Sequence, residues 1–295
     1  MPFAETDTLA LHHVDTGPRD GPVALLLHGW PDDVHTWEGV AAFLNARGWR
    51  TVVPYLRGFG PNRFASADTP RSGQLTALAG DVLALADRLD LERFAVVGHD
   101  WGARTAYVLA ALFPERLTHC VALSVGYGAP ATPSLQQAQQ FWYQWFFALP
   151  QGEAALRADR RTLTKHLWRT WSPSWRFDDT TFERTAAAFD NPDWIDVTLH
   201  GYRHRWGLVD GDSRHAAADR RLATVPPITV PTLVLHGDDD RCIVPASSVP
   251  SPARFHGARR RDVLAGVGHF PQREAPDEVA HRVHQWLAAP PSTLS

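Results

Sequence analysis

The stretch Phe94-Ala95-Val96-Val97-Gly98-His99-Asp100-Trp101-Gly102 decides the fold, because it joins an apolar run to a polar turn between two glycines. Its first four residues predict a buried strand, and residues 103–112 predict a helix that stops before Pro114. A strand, a sharp turn and a helix with a reactive side chain between glycines form a nucleophile elbow. Here the reactive position is Asp100, so we expect a carboxylate nucleophile. The alternative is that Asp100 only caps the helix.

Composition indicates a globular chain: 44% of the 295 residues are hydrophobic, enough for a large packed core. A net charge of −3 gives no electrostatic basis for binding nucleic acid or a membrane surface. The sequence starts without a signal-peptide pattern, and no apolar run reaches the ~20 residues that span a bilayer. We therefore expect a soluble, cytoplasmic protein that is a monomer or a homodimer. Cys120 and Cys242 lie in apolar stretches and are expected to be buried free thiols.

Strand and helix patterns alternate through the first part of the chain and predict a mostly parallel sheet flanked by helices. Strands are predicted at 23–27, 51–53, 94–97, 117–125, 232–236 and 262–264. Between the predicted strands 117–125 and 232–236, aromatic segments separated by prolines predict only helices. We therefore predict an α/β core of residues 1–128 and 223–295, with an all-helical lid of residues 129–222 over the carboxyl edge of the sheet.

Three side chains with triad chemistry each follow a predicted strand. Asp100, Asp240 and His269 stand in the chain order nucleophile, acid, base. The carboxyl ends of parallel strands meet at one edge of a sheet, so we expect these groups to lie together. Asp240 is the expected orienting acid, with Asp239 as the alternative, because the strand at 117–125 ends without a carboxylate.

These motifs resemble the α/β-hydrolase fold, and within it the branch of epoxide hydrolases and haloalkane or haloacetate dehalogenases that uses an Asp nucleophile. His28-Gly29-Trp30-Pro31 matches the H-G-x-P oxyanion loop of that branch, and Gly98-His99-Asp100-Trp101-Gly102 matches its nucleophile motif. Gly237-x-x-Asp240 and Gly268-His269-Phe270 match its acid and base loops. The resemblance is closest to soluble epoxide hydrolases. It implies a hydrolase without a cofactor, and the sequence has no zinc-ligand spacing or dinucleotide-binding glycine motif.

The resemblance further implies that the lid separates epoxide opening from dehalogenation. An epoxide oxygen needs proton donors as its bond breaks, whereas a halide needs weak N–H donors. Tyr143 lies in the aromatic segment 141–147 and resembles the first lid tyrosine of epoxide hydrolases, and Tyr202 resembles the second. We therefore expect hydrolysis of an epoxide to a diol, with both tyrosines as donors. The alternative is that both are aromatic core residues.

The remaining site residues are expected to form an oxyanion hole and an apolar pocket. The backbone N–H groups of Trp30 and Trp101 are the expected oxyanion donors. The side chains expected to contact a small apolar epoxide are Trp101, Trp145, Phe141 and Phe270. A dehalogenase with the same nucleophile is the alternative function, with Trp101 and Trp145 holding the halide. A third reading is a catalytically silent ligand-binding protein on the same fold.

Overall fold

The computed structural model describes residues 3–128 and 132–289, so the predicted lid boundary at 129 and residues 290–295 lie outside the described residues. The strands are Phe3–Glu5 (β1), Leu9–Thr16 (β2), Val23–Leu27 (β3), Arg50–Pro54 (β4), Arg63–Phe64 (β5), Phe94–His99 (β6), Leu117–Leu123 (β7), Thr232–Gly237 (β8) and Arg259–Leu264 (β9). The helices are Glu38–Asn45 (α1), Leu75–Arg88 (α2), Trp101–Leu112 (α3), Leu135–Gln140 (α4), Trp142–Ala148 (α5), Pro150–Trp171 (α6), Asp179–Ala186 (α7), Trp194–Arg205 (α8), Ala216–Ala223 (α9), Pro271–Glu274 (α10) and Pro276–Ala288 (α11).

The described strands form one sheet in the order β1-β2-β4-β3-β6-β7-β8-β9, with β5 paired to β2. All neighbours from β4 to β9 run parallel. This confirms the predicted mostly parallel α/β sheet. Strand β2 instead runs antiparallel to β4, because the connection 17–22 from β2 to β3 is too short to hold a crossover helix.

Helices cover both faces of the sheet, as continuous apolar strands require. Along β3, Leu25 and Leu27 belong to the apolar cluster that includes α2 and α3. Ala24 and Leu26 belong to the opposite cluster, which includes α1 and α11. This alternation follows from the two-residue period of a strand and leaves the strand ends fixed in a packed core.

Helices α4 to α9 lie within residues 135–223, here called the helical segment, and the structure assigns no strand to this range. An aromatic cluster joins the helical segment to the loops at the carboxyl edge of the sheet. It contains Trp30 and Trp101 from these loops together with Tyr143, Phe147 and Tyr202 from the helical segment. The predicted division into core and lid domains stays a prediction.

The turn between β6 and α3 needs two glycines, because strand and helix pass at backbone contact distance. A Cβ atom on Gly98 would lie 2.2 Å from the carbonyl oxygen of Gly102. One on Gly102 would lie 2.2 Å from the carbonyl oxygen of Leu27. Between them Asp100 adopts a φ of +48°, a left-handed conformation that typically costs about 1–3 kcal/mol in a residue with a side chain.

Replacing Gly98 with Ala is expected to lower the free energy of unfolding by about 3 kcal/mol or to prevent folding, since the new methyl group meets backbone. Urea denaturation measures this change. The control is Gly39→Ala on the exposed side of α1, where the nearest atom to the added carbon lies 3.2 Å away. We expect the control to change stability by less than about 1 kcal/mol. Two equally stable variants would contradict the packing argument.

Candidate active site

Asp100 stands at the carboxyl end of β6, at the start of α3, with 5% of its surface exposed. Its side chain makes no capping hydrogen bond to the helix, so the interpretation of Asp100 as a simple helix cap is wrong. Instead, Oδ2 accepts a 3.3 Å hydrogen bond from the backbone N–H of Trp30. Oδ1 lies 3.8 Å from Nε2 of His269. One carboxylate oxygen is therefore held, and the other faces the imidazole.

His269 and Asp240 form a fully buried pair, in which Nδ1 of His269 donates to Oδ2 of Asp240 over 2.9 Å. Burial by itself lowers the pKa of His269, but the Asp240 carboxylate outweighs burial and holds that pKa well above 6.5. Burial likewise acts to raise the pKa of Asp240, but interactions with His269 and His236 lower it well below its usual range. Nε2 of His269 is buried and makes no hydrogen bond within the described residues.

The orientation of Asp240 is set by its neighbours along the chain and by one strand residue. Oδ1 accepts the backbone N–H groups of Cys242 at 2.7 Å and Ile243 at 2.9 Å. Oδ2 also lies 3.1 Å from Nε2 of His236, whose Nδ1 lies 2.8 Å from Oγ of Ser248. No motif marks His236 in the sequence, although it precedes Asp240 by four residues. The acid is thus fixed by three contacts besides the one to His269, and Ser248 in turn holds the ring of His236.

Asp239, the alternative acid, points elsewhere. Its carboxylate accepts hydrogen bonds from Oγ of Ser174 at 3.0 Å and from Nε of Arg241 at 2.9 Å, at an exposed position. The structure therefore brings Asp240, and not Asp239, to His269.

The loop that carries His269 is anchored by residues that no sequence motif identifies. Its backbone N–H donates to Oγ of Ser172 over 2.8 Å. Its carbonyl oxygen accepts from Oγ of Ser124 at 2.9 Å and from Nε2 of His99 at 2.7 Å. Burial lowers the pKa of His99 to about 4, so its neutral ring donates here. Glu274 accepts the backbone N–H groups on both sides of His269. These four anchors lie on four different stretches of chain.

Tyr143 and Tyr202 lie against each other beside Trp30. Their ring centroids are 5.4 Å apart at 88°, and the Trp30 ring stacks on Tyr143 at 5.8 Å and 6°. Burial raises the pKa of both hydroxyl groups well above 10, so both phenols stay protonated at neutral pH. Nε2 of Gln144 donates to Oη of Tyr143 over 2.8 Å, and Sγ of Cys242 lies 3.7 Å from the same oxygen.

Trp101 and Phe270 are also close to these groups. The Trp101 ring lies 5.4 Å from that of Tyr202, and the Phe270 ring lies 5.2 Å from the imidazole of His269. The backbone N–H of Trp101 makes no hydrogen bond to Asp100 in the described structure, so Trp30 provides the only observed backbone contact of the predicted oxyanion pair.

Trp145 and Phe141 have different surroundings from those expected. Trp145 is 36% exposed, and its indole N–H donates to the carbonyl oxygen of Ala138 over 2.9 Å. The structure therefore does not bring Trp145 to the candidate site. Phe141 is buried at the side of the aromatic cluster, with its ring 6.1 Å from that of Trp206 and 5.0 Å from the guanidinium of Arg205.

Three further observations on the described residues concern metal binding, membrane-spanning helices and the two cysteines. No group of three or more His, Cys, Asp and Glu side chains in residues 3–128 and 132–289 is arranged to hold a metal ion. Over the same residues, no helix is both long enough and apolar enough to span a bilayer. Cys120 and Cys242 are buried free thiols, which confirms that prediction.

Comparison with known families agrees with this geometry. The family model described as the alpha/beta hydrolase fold matches residues 22–276. The chain belongs to the α/β-hydrolase family. Membership confirms the fold resemblance that the motifs predict, in which Asp100, Asp240 and His269 follow the parallel strands β6, β8 and β9.

Several relatives of this α/β-hydrolase carry the same kind of name. A crystal structure of a proposed epoxide hydrolase from Klebsiella pneumoniae is 41% identical, covers 95% of each chain and superposes with a TM-score of 0.90. "Epoxide hydrolase" of Caballeronia sordidicola is 27% identical over 98% of this chain and 94% of that protein. "Epoxide hydrolase 3" of Siraitia grosvenorii is 25% identical over 96% of both chains.

Asp240→Asn is expected to lower the pKa of His269, because burial then acts on the imidazole without a compensating carboxylate. Side-chain ¹⁵N NMR would show His269 protonated above pH 6.5 in the wild type and neutral at the same pH in the variant. The spectrum of His269→Gln assigns the resonance among the other histidines. Asp239→Asn is the matched control and should leave the resonance unchanged, since Asp239 bonds Ser174 and Arg241 instead. An equal shift in both variants would refute the pairing.

Proposed function

We propose that this hydrolase opens an epoxide to a vicinal diol through a covalent ester on Asp100, which a water activated by His269 then hydrolyses. The observation that carries the proposal is the geometry of two groups. Oδ1 of Asp100 and the unbonded Nε2 of His269 face each other at 3.8 Å. The similarity to proteins named epoxide hydrolases supports the choice of substrate.

In the first step, Oδ1 of Asp100 attacks a ring carbon and the carbon–oxygen bond of the epoxide breaks. The electron pair moves to the ring oxygen, which takes a proton from the hydroxyl of Tyr143 or Tyr202. Both phenols are protonated and buried, so they can donate strongly in a site with little competing water. The hydrogen bond from Trp30 holds Oδ2 and leaves Oδ1 as the attacking atom.

In the second step, His269, which is protonated in the resting enzyme, first gives its Nε2 proton to the phenolate formed in the first step. The neutral ring then removes a proton from water as that water attacks the ester carbonyl carbon of Asp100. The backbone N–H of Trp30 already contacts Oδ2 and can stabilise the tetrahedral oxyanion on it. Collapse of this intermediate releases the diol and restores the carboxylate. As the ester bond breaks, the leaving oxygen takes the proton of the hydroxyl that came from water, and His269 keeps the proton it removed, as at the start of the cycle. Asp240 supports this cycle because it fixes the ring orientation of His269 and stabilises the protonated ring.

The helical segment acts in this proposal as a lid that supplies both tyrosines and an apolar wall. Its aromatic side chains keep the reacting atoms away from bulk water, which favours an apolar body on the substrate.

A dehalogenase with the same nucleophile would need indole or amide N–H donors around a halide. The indole N–H of Trp30 donates to Oγ1 of Thr198 over 3.0 Å, and that of Trp145 donates to Ala138. Of the three tryptophans considered, Trp101 alone keeps an unbonded indole N–H within the described residues. These contacts engage two of these three indoles, and the choice of an epoxide rests on the two tyrosines and on the relatives named epoxide hydrolases.

His269→Gln is expected to form the ester but not to hydrolyse it, because the first step needs Asp100 and the second needs the imidazole. Incubation with styrene oxide should add the whole mass of the epoxide, as measured by intact-protein mass spectrometry. Incubation with a haloalkane should add nothing. Addition of an alkyl group without its halide would instead establish dehalogenation.

The controls for this experiment separate the nucleophile from the base. Asp100→Ala should give neither an adduct nor turnover. His256→Gln, an exposed histidine outside the site, should turn over normally and accumulate no adduct. Continued diol formation by His269→Gln would rule out the proposed second step.

Tyr143→Phe and Tyr202→Phe are each expected to lower kcat for an epoxide by about 10²–10³-fold, because each removes one donor to the developing alkoxide. Steady-state kinetics of diol formation measures the change. Tyr127→Phe is the matched control, since its hydroxyl donates to the carbonyl oxygen of Pro226 and does not contact the site. Unchanged kcat in both lid variants would remove the main argument for an epoxide substrate.

A further inference from the structure

A cavity of 610 Å³ lies between the core and the helical segment and reaches the candidate site. Tyr202 and Trp101, which are in ring contact with each other, form part of its wall. Two arginines, Arg104 from α3 and Arg205 from α8, line the same cavity. Both also line a second cavity of 290 Å³, together with Phe141 and other residues, so they stand at the junction of the two.

Neither arginine has an anionic partner within the described residues. Arg104 and Arg205 take part in no ion pair or hydrogen bond there, and Nε of Arg104 is buried without a partner. By contrast Arg203, two positions before Arg205 on the same helix, forms an ion pair with Glu153 over 3.1 Å. Residues 1–2, 129–131 and 290–295 contain no Asp or Glu, so they cannot supply a carboxylate side chain.

The one carboxylate among the residues that line the larger cavity is already engaged. Oδ2 of Asp219 accepts from Nε2 of Gln74 at 2.7 Å, and Oδ1 accepts from Oγ1 of Thr76 at 2.6 Å. Both of its oxygens are thus bonded to neutral donors, and within the described residues it forms no ion pair with Arg104 or Arg205, which lie beside the tyrosine that the proposed reaction uses.

Two partly buried cations that lie near each other are unfavourable unless an anion joins them. Burial, and next the charge of Arg104, lower the pKa of Arg205 to about 10. The guanidinium of Arg205 also lies 5.0 Å from the ring of Phe141 and 5.3 Å from that of Trp206, which orient it without neutralising it.

Arg104 and Arg205 each lie close along their own helix to a residue that the proposed reaction uses. Arg104 follows Asp100 by four residues, and Arg205 follows Tyr202 by three, so each lies about one helical turn from a proposed catalytic residue. An anion held by both would therefore lie on the side of the site that Trp101 and Tyr202 form.

We propose that Arg104 and Arg205 bind a carboxylate carried by the substrate, so that the preferred substrate is an epoxide with an acidic group close to the ring. This inference rests on the proposed epoxide hydrolysis and adds an anionic group to its otherwise apolar substrate. Guanidinium groups suit the task, because each can donate two parallel N–H bonds to one carboxylate.

The test compares trans-3-phenylglycidate with its neutral amide, which has nearly the same shape. The measured quantity is the ratio of kcat/KM for the acid to kcat/KM for the amide. In the wild type the acid should be preferred, and Arg104→Gln and Arg205→Gln should each lower the ratio roughly 10- to 100-fold, since each removes a charge-assisted hydrogen bond. Arg205→Lys should restore part of it. Arg220→Gln, an exposed α9 residue outside the cavity wall, is the matched charge control and should keep the wild-type ratio.

Direct binding distinguishes a failure of this inference from a failure of the proposed reaction. Calorimetry with 3-phenylpropanoate and 3-phenylpropanamide needs no epoxide chemistry. Arginine-dependent binding of the acid by a protein that opens no epoxide would support the carboxylate site and reject epoxide hydrolysis. Hydrolysis of the amide with no preference for the acid would support epoxide hydrolysis and reject the carboxylate site. An unchanged acid-to-amide ratio in both glutamine variants, or an equal fall in Arg220→Gln, would overturn the carboxylate site.

Discussion

The close approach of β6 and α3 is the constraint on which the rest of the site depends. Backbone atoms of Gly98, Gly102 and Leu27 meet where no Cβ atom fits, so the chain must reverse within one residue. That residue, Asp100, takes a left-handed conformation and cannot use its carboxylate to cap its own helix. The packed sheet holds this local strain, because both of its faces are buried. In the proposed reaction, a carboxylate that is fixed in this way needs little reorganisation to attack.

Burial at the carboxyl edge of the sheet then sets the protonation of each group according to its partner. His269 meets the Asp240 carboxylate and has a raised pKa, whereas His99 has no such partner and stays neutral. Tyr143 and Tyr202 remain protonated because the same apolar surroundings disfavour phenolate. The same buried surroundings thus favour a protonated His269 beside Asp240, a neutral His99 and two protonated phenols.

The helical segment contributes both aromatic and charged side chains to this edge of the sheet. Its aromatic rings close an apolar space over the nucleophile, in which a carbon–oxygen bond can break away from bulk water. Beside that space, Arg104 and Arg205 line a cavity and form no ion pair with any described residue. A substrate with an apolar body and a nearby carboxylate would match both surfaces, so that charge and shape would orient the ring toward Asp100.

Local patterns in the sequence determined the parallel α/β core, the elbow and the meeting of Asp100, Asp240 and His269, because each of these groups directly follows a strand whose position apolar residues reveal. Contacts between distant segments were decided only in the tertiary structure. The choice of Asp240 over Asp239 as the partner of His269 depended on side-chain direction, and so did the position of Trp145. On α5 the helical period turns Tyr143 and Phe147 inward and leaves Trp145 at the surface. Likewise, whether an arginine meets a carboxylate depends on which remote helices pack together, so the unpaired Arg104 and Arg205 became visible only once α3 and α8 lined one cavity.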